Sequence, residues 1–474
     1  MPETFKREIY LLRPEELNPE TIAVAFAKTS RSPLSFREIA AELTDEKSAE
    51  FHERWVVGYG HASVAEHAVL HLALENVSRL AIECIESNRL ASYTEKSTRY
   101  QKWDRQGYFV PPEIQEGSTE KIYRQTCDSL FDTYMQSIAL VKDVVARTYP
   151  RAEGESEERW DGRIRSRYID ACRFLLPAAS LANVGMTANA RVLEHAVRKM
   201  LSHPLSEVQE IGERVKEVSR VEIPTLVKYA DRVPYFQETG ADFSERAAAL
   251  PIEPMAGMIE LINCDPEAEL RILAAALYAP GGTSFAAAMK TVREMEEDKK
   301  RELAEALLGR LDRFDAPLRE LEHAYYTFDA TLDQGAYFEL KRHRMMTQTP
   351  QRLSADLGYA VPRLIVEAGF EAPYRRAMKQ AAEAFGQLKA WNPHVAAYLV
   401  PNGFNRRVLM TLNLREVYHF CELRSENNAH FSIRRIALRM AEMIREVHPL
   451  VGAYLRLPQG VDWREIEDAH FTQV

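Results

Sequence analysis

Two stretches of the chain change hydrophobic period at the same relative place. Leu70, Leu72 and Leu74 alternate with less apolar neighbours, and so do Tyr326, Phe328, Ala330 and Leu332. A period of two predicts a half-buried strand in each case. In the first stretch the period then lengthens: Val77, Leu80, Ala81, Cys84 and Ile85 follow a helical stripe that ends at Asn88-Arg89. The second stretch ends at Lys341-Arg342-His343-Arg344, predicted to be a helix end too. Free carbonyls at a helix C-terminus attract cations, so basic residues there need no ligand to explain them. A further stripe, Leu193, Ala196, Val197 and Met200, has a counterpart in Val417, Phe420, Cys421 and Arg424. An arginine replaces a methionine on an inward face. A buried guanidinium without a partner is costly, so Arg424 is expected to meet a carboxylate, a carbonyl or a ligand anion.

These paired patterns belong to a chain written twice. Ile9-Tyr10-Leu11-Leu12 with Asn18-Pro19-Glu20 is echoed by Ile259-Glu260-Leu261-Ile262 with Asp265-Pro266-Glu267. Glu66-His67 and the run to Arg89 are echoed by Glu322-His323 and the run to Arg344. Pro177, Asn189 and His195 are echoed by Pro401, Asn413 and His419 at one offset, 401 − 177 = 413 − 189 = 419 − 195 = 224. Residues 1–240 and 250–474 are therefore expected to form two domains, with the boundary in the Pro- and Gly-containing stretch 233–254. Tyr149 to Trp160 reads as a surface loop, and Glu294 to Arg301 as a solvated helix face. Asn413 with Glu416 three residues on reads as a helix N-cap of the capping-box kind.

Composition narrows the chemistry. With 474 residues, 46% of them hydrophobic and 28% charged, the chain suits two globular cores. A net charge of −9 argues against a general nucleic-acid or membrane-surface binder, so an anion must be met locally. The N-terminus lacks an apolar leader and no stretch approaches a membrane span, which predicts a soluble, cytoplasmic protein. Five scattered cysteines give neither a disulfide framework nor a zinc ribbon. His67 and His71, on a strand, would stand about 13 Å apart, too far to share a metal.

Several separated motifs resemble the flavin-dependent thymidylate synthases, in the family's order. They are Gly60-His61-Ala62-Ser63-Val64-Ala65-Glu66-His67, Ser78-Arg79, and Arg89 through Ser92-Tyr93-Thr94-Glu95-Lys96-Ser97-Thr98-Arg99-Tyr100 in the first copy. The second copy has Arg342-His343-Arg344, Asn413-Leu414-Arg415 and Leu423-Arg424. The resemblance implies an α+β fold in which two family-like domains, each an antiparallel sheet with packed helices, form an intrachain pseudo-dimer. It implies FAD as cofactor and conversion of dUMP to dTMP with methylene-tetrahydrofolate and NADPH. It also implies a homodimer equivalent to the family's tetramer.

Each copy carries only part of the family's site. The first keeps residues that resemble the substrate-binding set, Glu95, Ser97, Thr98, Arg99 and Arg173, together with Ser63 on the cofactor side. The second keeps Arg342, His343, Arg344, Asn413, Arg415 and His419, which resemble the flavin-binding set, with Arg342 also toward substrate and Arg424 as the catalytic arginine. Ser87-Asn88 and Met200 replace the missing members in the first copy, Pro350 to Ser354 and Ala397 those in the second. Complementary losses imply one composite site per chain. One departure stands out: Glu339 replaces a family glutamine and would repel an anionic nucleotide unless paired or protonated. A degenerate, non-catalytic flavin- or nucleotide-binding paralogue, and a flavoenzyme for another pyrimidine nucleotide, are the competing expectations.

Overall fold

The computed structural model describes Tyr10, Leu12 and residues 16–30, 32–58, 62–105, 107–114, 117–251 and 257–472. Ile9, Leu11, Gly60, His61 and part of the boundary stretch lie outside the described residues. The fold is α+β. Strands β1 (Val69–Ser78), β2 (Ala91–Glu95) and β3 (Leu181–Asn189) form an antiparallel sheet in the order β1-β3-β2. Strands β4 (Ile259–Cys264), β5 (Tyr325–Asp333), β6 (Thr347–Pro350) and β7 (Asn405–Asn413) form a second, ordered β4-β5-β7-β6. The order β5-β7-β6 repeats β1-β3-β2, so the duplication holds at the level of strand pairing.

One detail of the sequence offsets is explained by a bulge. His67 and His323 differ by 256, whereas Arg89 and Arg344 differ by 255. Between them, Leu74 pairs with Val184 but Val77 with Ala182, so β1 holds one residue more than its partner. Asn76 sits there with φ 55, the left-handed region that asparagine tolerates. The pairing of β5 with β7 runs without a break.

Both strands hand over to a helix as their periods predict. Tyr326, Phe328, Ala330 and Leu332 are fully buried and join Val408, Met410 and Leu412 in one core with the helix Phe431–Val447. In the first copy the handover is later than the stripe suggests: Val77 is still strand, and the helix Arg79–Ile85 buries Ala81, Ile82 and Ile85. Ser78 caps that helix, and Asp333 caps the helix Gln334–Leu340. The partners of these caps are exchanged between copies. Ser78 donates to Glu207 at 2.6 Å, while Ser432 donates to Asp333, so the carboxylate and the hydroxyl have traded sides of one buried contact.

The described chain separates into two compact units that do not follow the two sequence copies. One comprises the described parts of 1–96, 109–114 and 181–251; the other those of 97–108, 115–180 and 252–474. The second unit therefore contains segments of both copies. Within it Pro177 bridges Pro401, its own repeat counterpart. Around this point Ala178 N donates to Val400 O at 3.0 Å and Asn402 N to Leu176 O at 3.0 Å. Ala179 N donates to Tyr398 O at 2.8 Å and Gly403 N to Phe174 O at 2.9 Å. An offset of 224 maps each bond onto its mate, which is the self-complementary contact of a local twofold.

Three sequence expectations are corrected. The boundary stretch contains a helix, Pro234–Ala247, none of whose residues is buried. Glu294 to Arg301 is a junction of two helices, Phe285–Glu294 and Glu297–Leu308, because Met295 leaves the helical region. Trp160 lies inside the helix Glu157–Cys172, whose Ser156 cap ends the loop early. All five cysteines are free, and among the described residues no helix is long and apolar enough to cross a membrane.

Candidate functional site

The site grows from the end of the helix Glu157–Cys172. That helix presents Asp170 and runs into a short 3-10 turn, Arg173–Leu175. Arg173 is only 2% exposed, so its donors must be met inside. Nη1 donates to Thr98 Oγ1 at 3.1 Å and Nη2 to the Gly335 carbonyl at 3.2 Å, while Nε lies 4.0 Å from Asp170. A Cβ on Gly335 would lie 3.4 Å from Arg173 Nη2 and 3.3 Å from Phe174, so the glycine permits this approach. Asn402, fully buried, donates to the Arg173 carbonyl at 3.0 Å.

Arg99 lies beside it, on the loop that opens with Ser97, whose Oγ accepts from Arg99 N at 3.2 Å. Its guanidinium makes a forked contact with Asp170, Nε to Oδ1 at 2.9 Å and Nη2 to Oδ2 at 2.8 Å, and Nη1 donates to the Asn428 carbonyl at 2.7 Å. Burial opposes the charge of Arg99, but the Asp170 hydrogen bonds outweigh it and raise the pKa above its ordinary value.

Glu339 joins this group to the second copy's arginine. It is 6% exposed; one oxygen lies 3.5 Å from Arg99 Nη1 and the other accepts from Arg424 Nη1 at 3.1 Å. Arg424 thus meets the carboxylate its inward position required. Its Nε donates to His343 Nε2 at 2.9 Å, so His343 must carry its proton on Nδ1, which faces Glu416 at 3.1 Å. Burial, reinforced by Arg424, holds His343 well below the ordinary histidine value, and burial pushes Glu416 up. Three guanidinium charges against Asp170 and Glu339 leave 3 − 2 = +1 in this cluster.

A cleft of about 930 Å³ opens along this network. Asn428 and Glu416 line it together with Asn413, Arg415 and His419, and Met345 and Leu423 add apolar wall. Asn413 is a helix N-cap, its Oδ1 accepting from Glu416 N at 2.9 Å; the reciprocal half of the capping box is missing because Glu416 turns to His343. Arg415 Nε donates to the Pro317 carbonyl at 2.8 Å and Nη1 to Glu322 at 3.1 Å. The His419 ring lies 5.3 Å from that of His343. Arg342 is exposed and Arg344 half-buried just after the helix Gln334–Leu340.

Not every expected residue joins this group. Glu95 belongs to the other compact unit, where its buried carboxylate faces Arg79 at 2.6 Å. Ser63 is also in that unit, on a separate cavity of about 640 Å³ beside Phe26 and His67. Sequence reading missed Asp170, Asn402 and Gly335. Asp170 had a signal, a lone acid in the apolar run Tyr168 to Leu176 three residues before Arg173; Gly335 acts through its carbonyl and Asn402 through a side-chain amide on the Arg173 carbonyl, and neither had one.

A family model described as thymidylate synthase complementing protein (Thy1) matches the chain twice, at residues 13–225 and 260–450. A "UPF0159 protein" of Chlamydia muridarum is 31% identical over 494 aligned positions, covering 96% of this chain and 93% of that protein. A flavin-dependent thymidylate synthase of Clostridium tetani is 30% identical over 218 positions, covering 45% of this chain and 82% of that protein. A solved flavin-dependent thymidylate synthase from Helicobacter pylori, complexed with FAD and dUMP, aligns at 19% identity and TM-score 0.31 over 43% of this chain and 100% of that one.

Proposed function

The chain belongs to the thymidylate synthase complementing protein family as a tandem duplicate, and from that premise we propose that it binds FAD and methylates dUMP to dTMP, with methylene-tetrahydrofolate and NADPH as co-substrates. The observation that carries this reading is the sharing of Glu339 by Arg99 and Arg424, since it joins first-copy and second-copy members of the expected site in one compact unit. The two copies would complement each other, and a dimer of this chain would supply four family-like domains.

In this reading Arg99 and Arg173 hold the nucleotide phosphate through charge-assisted hydrogen bonds. Arg424, fixed by His343, faces the pyrimidine as negative charge develops on it. Glu339 must yield its hold on Arg99 when a dianion enters. The cleft of about 930 Å³ lies within the size range of cofactor sites, and basic Arg415 and His419 beside apolar Met345 and Leu423 suit a flat ring system bearing phosphates. Asn413, Arg415, His419 and the residues Arg342 to Arg344 would hold FAD, whose contribution when bound is hydride transfer.

The Asp170 fork on Arg99 favours one rival, a binding protein without turnover, because an arginine already satisfied gains less from a phosphate. Purified protein reconstituted with FAD and assayed for tritium release from 5-labelled dUMP, with methylene-tetrahydrofolate and NADPH, separates the two. Release that Arg99→Ala and Arg424→Ala each abolish supports the synthase; flavin retained without release overturns it. The two substitutions are expected to be strongly non-additive, as members of one network are.

A further inference from the structure

Residues 463–472 lie outside both stretches that match the family. Asp462 caps a helix there, Trp463–His470, its side chain accepting from Arg464 N at 2.7 Å. Trp463, Ile466 and His470 recur at helical spacing and face the helix Phe431–Val447: Trp463 Nε1 donates to Glu442 at 2.7 Å, and Ile466 is buried. At Phe471 the backbone becomes extended, so the chain can pair as a strand does. Phe471 bridges Pro362, its carbonyl accepts from Arg363 Nη2 at 3.2 Å, and Thr472 N donates to the Val361 carbonyl at 3.1 Å. Arg435, paired with Glu467 at 3.0 Å, lies over the buried Phe471 ring at 3.9 Å. The segment is a strap tied down on both sides of His470.

What the strap touches leads to the candidate site. The His470 ring stacks on Phe431 at 4.5 Å with 4° between the planes, and Phe431 lies 4.1 Å from His430. Phe174 closes the layer edge-on, 5.7 Å from His430 and 6.0 Å from Phe431. His430 is fully buried and has one orientation: Nδ1 accepts from Ser432 N at 3.2 Å, so Nε2 carries the proton and donates to the Asp170 carbonyl at 3.2 Å. Asp170 in turn forks Arg99, and Phe174 follows Arg173 in the 3-10 turn. A column of rings therefore runs from the strap to the residue that holds Arg99 and to the neighbour of Arg173. Two arginines that must converge on one anion tolerate little displacement, so the packing of this column bears on binding as well as on stability.

We propose that His470 and Phe471 are positioning residues for Asp170, and that the strap they form thereby sets the affinity of Arg99 and Arg173 for an anion. Only the identity of that anion, dUMP, rests on the synthase reading.

The test compares, in the full chain, His470→Ala and Phe471→Ala with His470→Phe, which keeps a ring in the stack. Hydrogen exchange is followed at residues 168–174 and, as a reference in the same compact unit, at the helix Ala268–Tyr278. The two alanine variants are expected to speed exchange at 168–174 about tenfold beyond any change in the reference helix, and to weaken dUMP binding about fivefold by calorimetry. His470→Phe should keep both at the parent's level. Exchange that rises equally in the two segments, or does not rise at 168–174, overturns the proposal, and so does dUMP binding that the alanine variants leave unchanged. A parent chain that binds no dUMP overturns the synthase reading instead, and the exchange comparison then decides the role of the strap by itself.

Discussion

Glu339 decides the charge of the candidate site. Its carboxylate holds Arg99 and Arg424 together, so any incoming anion competes with an anion already in the chain. Glu339→Gln keeps the side-chain length and removes the charge. Affinity for dUMP, measured by calorimetry, is expected to rise on the order of tenfold, the scale of one close charge pair. The same change should lower stability, because two buried guanidinium groups lose a counter-charge. Unchanged or weaker dUMP binding would show that Glu339 does not compete for the anion site. Both parts of this situation were partly legible in the sequence. The resemblance singled out Glu339 as an acid where the family has a glutamine, and the arginine in an apolar stripe foretold a partner for Arg424. That these are one contact was not legible, because 85 residues separate Glu339 from Arg424 and 240 separate it from Arg99.

At the scale of elements, the helix Gln334–Leu340 positions the site, and its first turn is its tightest point. A Cβ at Gly335 would meet Asp333 Oδ1 at 3.0 Å, Phe174 at 3.3 Å and Arg173 Nη2 at 3.4 Å. Gly335→Ala is therefore expected to cost about 1–3 kcal/mol by overpacking, against the small gain alanine normally brings to a helix. Denaturant unfolding should show a lower midpoint at unchanged slope. A stabilised variant would mean that the Arg173 cradle has room to relax. Periodicity revealed elements that frame the site, strand then helix in each copy, and the Asn413–Glu416 spacing revealed a cap. It failed where tertiary context or a single residue governs. The bulge at Asn76 left only a shift of one in the offsets, and the helix Pro234–Ala247 has no buried stripe to announce it. The regrouping of 97–108 and 115–180 with the second copy has no local signature, since it rests on bonds between residues 224 apart or nearly so.

For the whole molecule the buried histidines set the response to acid. Burial holds His343 and His430 well below the ordinary value of 6.5, and lowers His394 and His470 to about 4. Above pH 6.5 both folded and unfolded states leave these rings neutral, and the histidines contribute no pH dependence. Below it the unfolded chain takes up protons that the folded chain refuses, so stability falls as pH drops, for His394 and His470 until about 4. Asp333 and Glu416, pushed up by burial, bind protons in the folded state and oppose the fall. Asp161 adds to the fall only at pH below the ordinary carboxylate range, since hydrogen bonds from Lys142, Arg165 and Tyr168 outweigh burial and hold its carboxyl down. Burial lowers His52, His195 and His448 as well, and these seven depressed histidines outnumber the two raised carboxyls, so the thermal midpoint should be level from pH 8 to about 6.5 and decline steadily toward pH 5. His430→Asn should flatten that decline, because the two ring nitrogens of His430 bond Asp170 O and Ser432 N, and an amide can serve both without titrating. A midpoint that holds from pH 7 to 5 would show that the raised carboxyls compensate in full. The decline also bears on the site, because His343 can accept from Arg424 only while neutral: acid that protonates it would release Arg424 along with the fold.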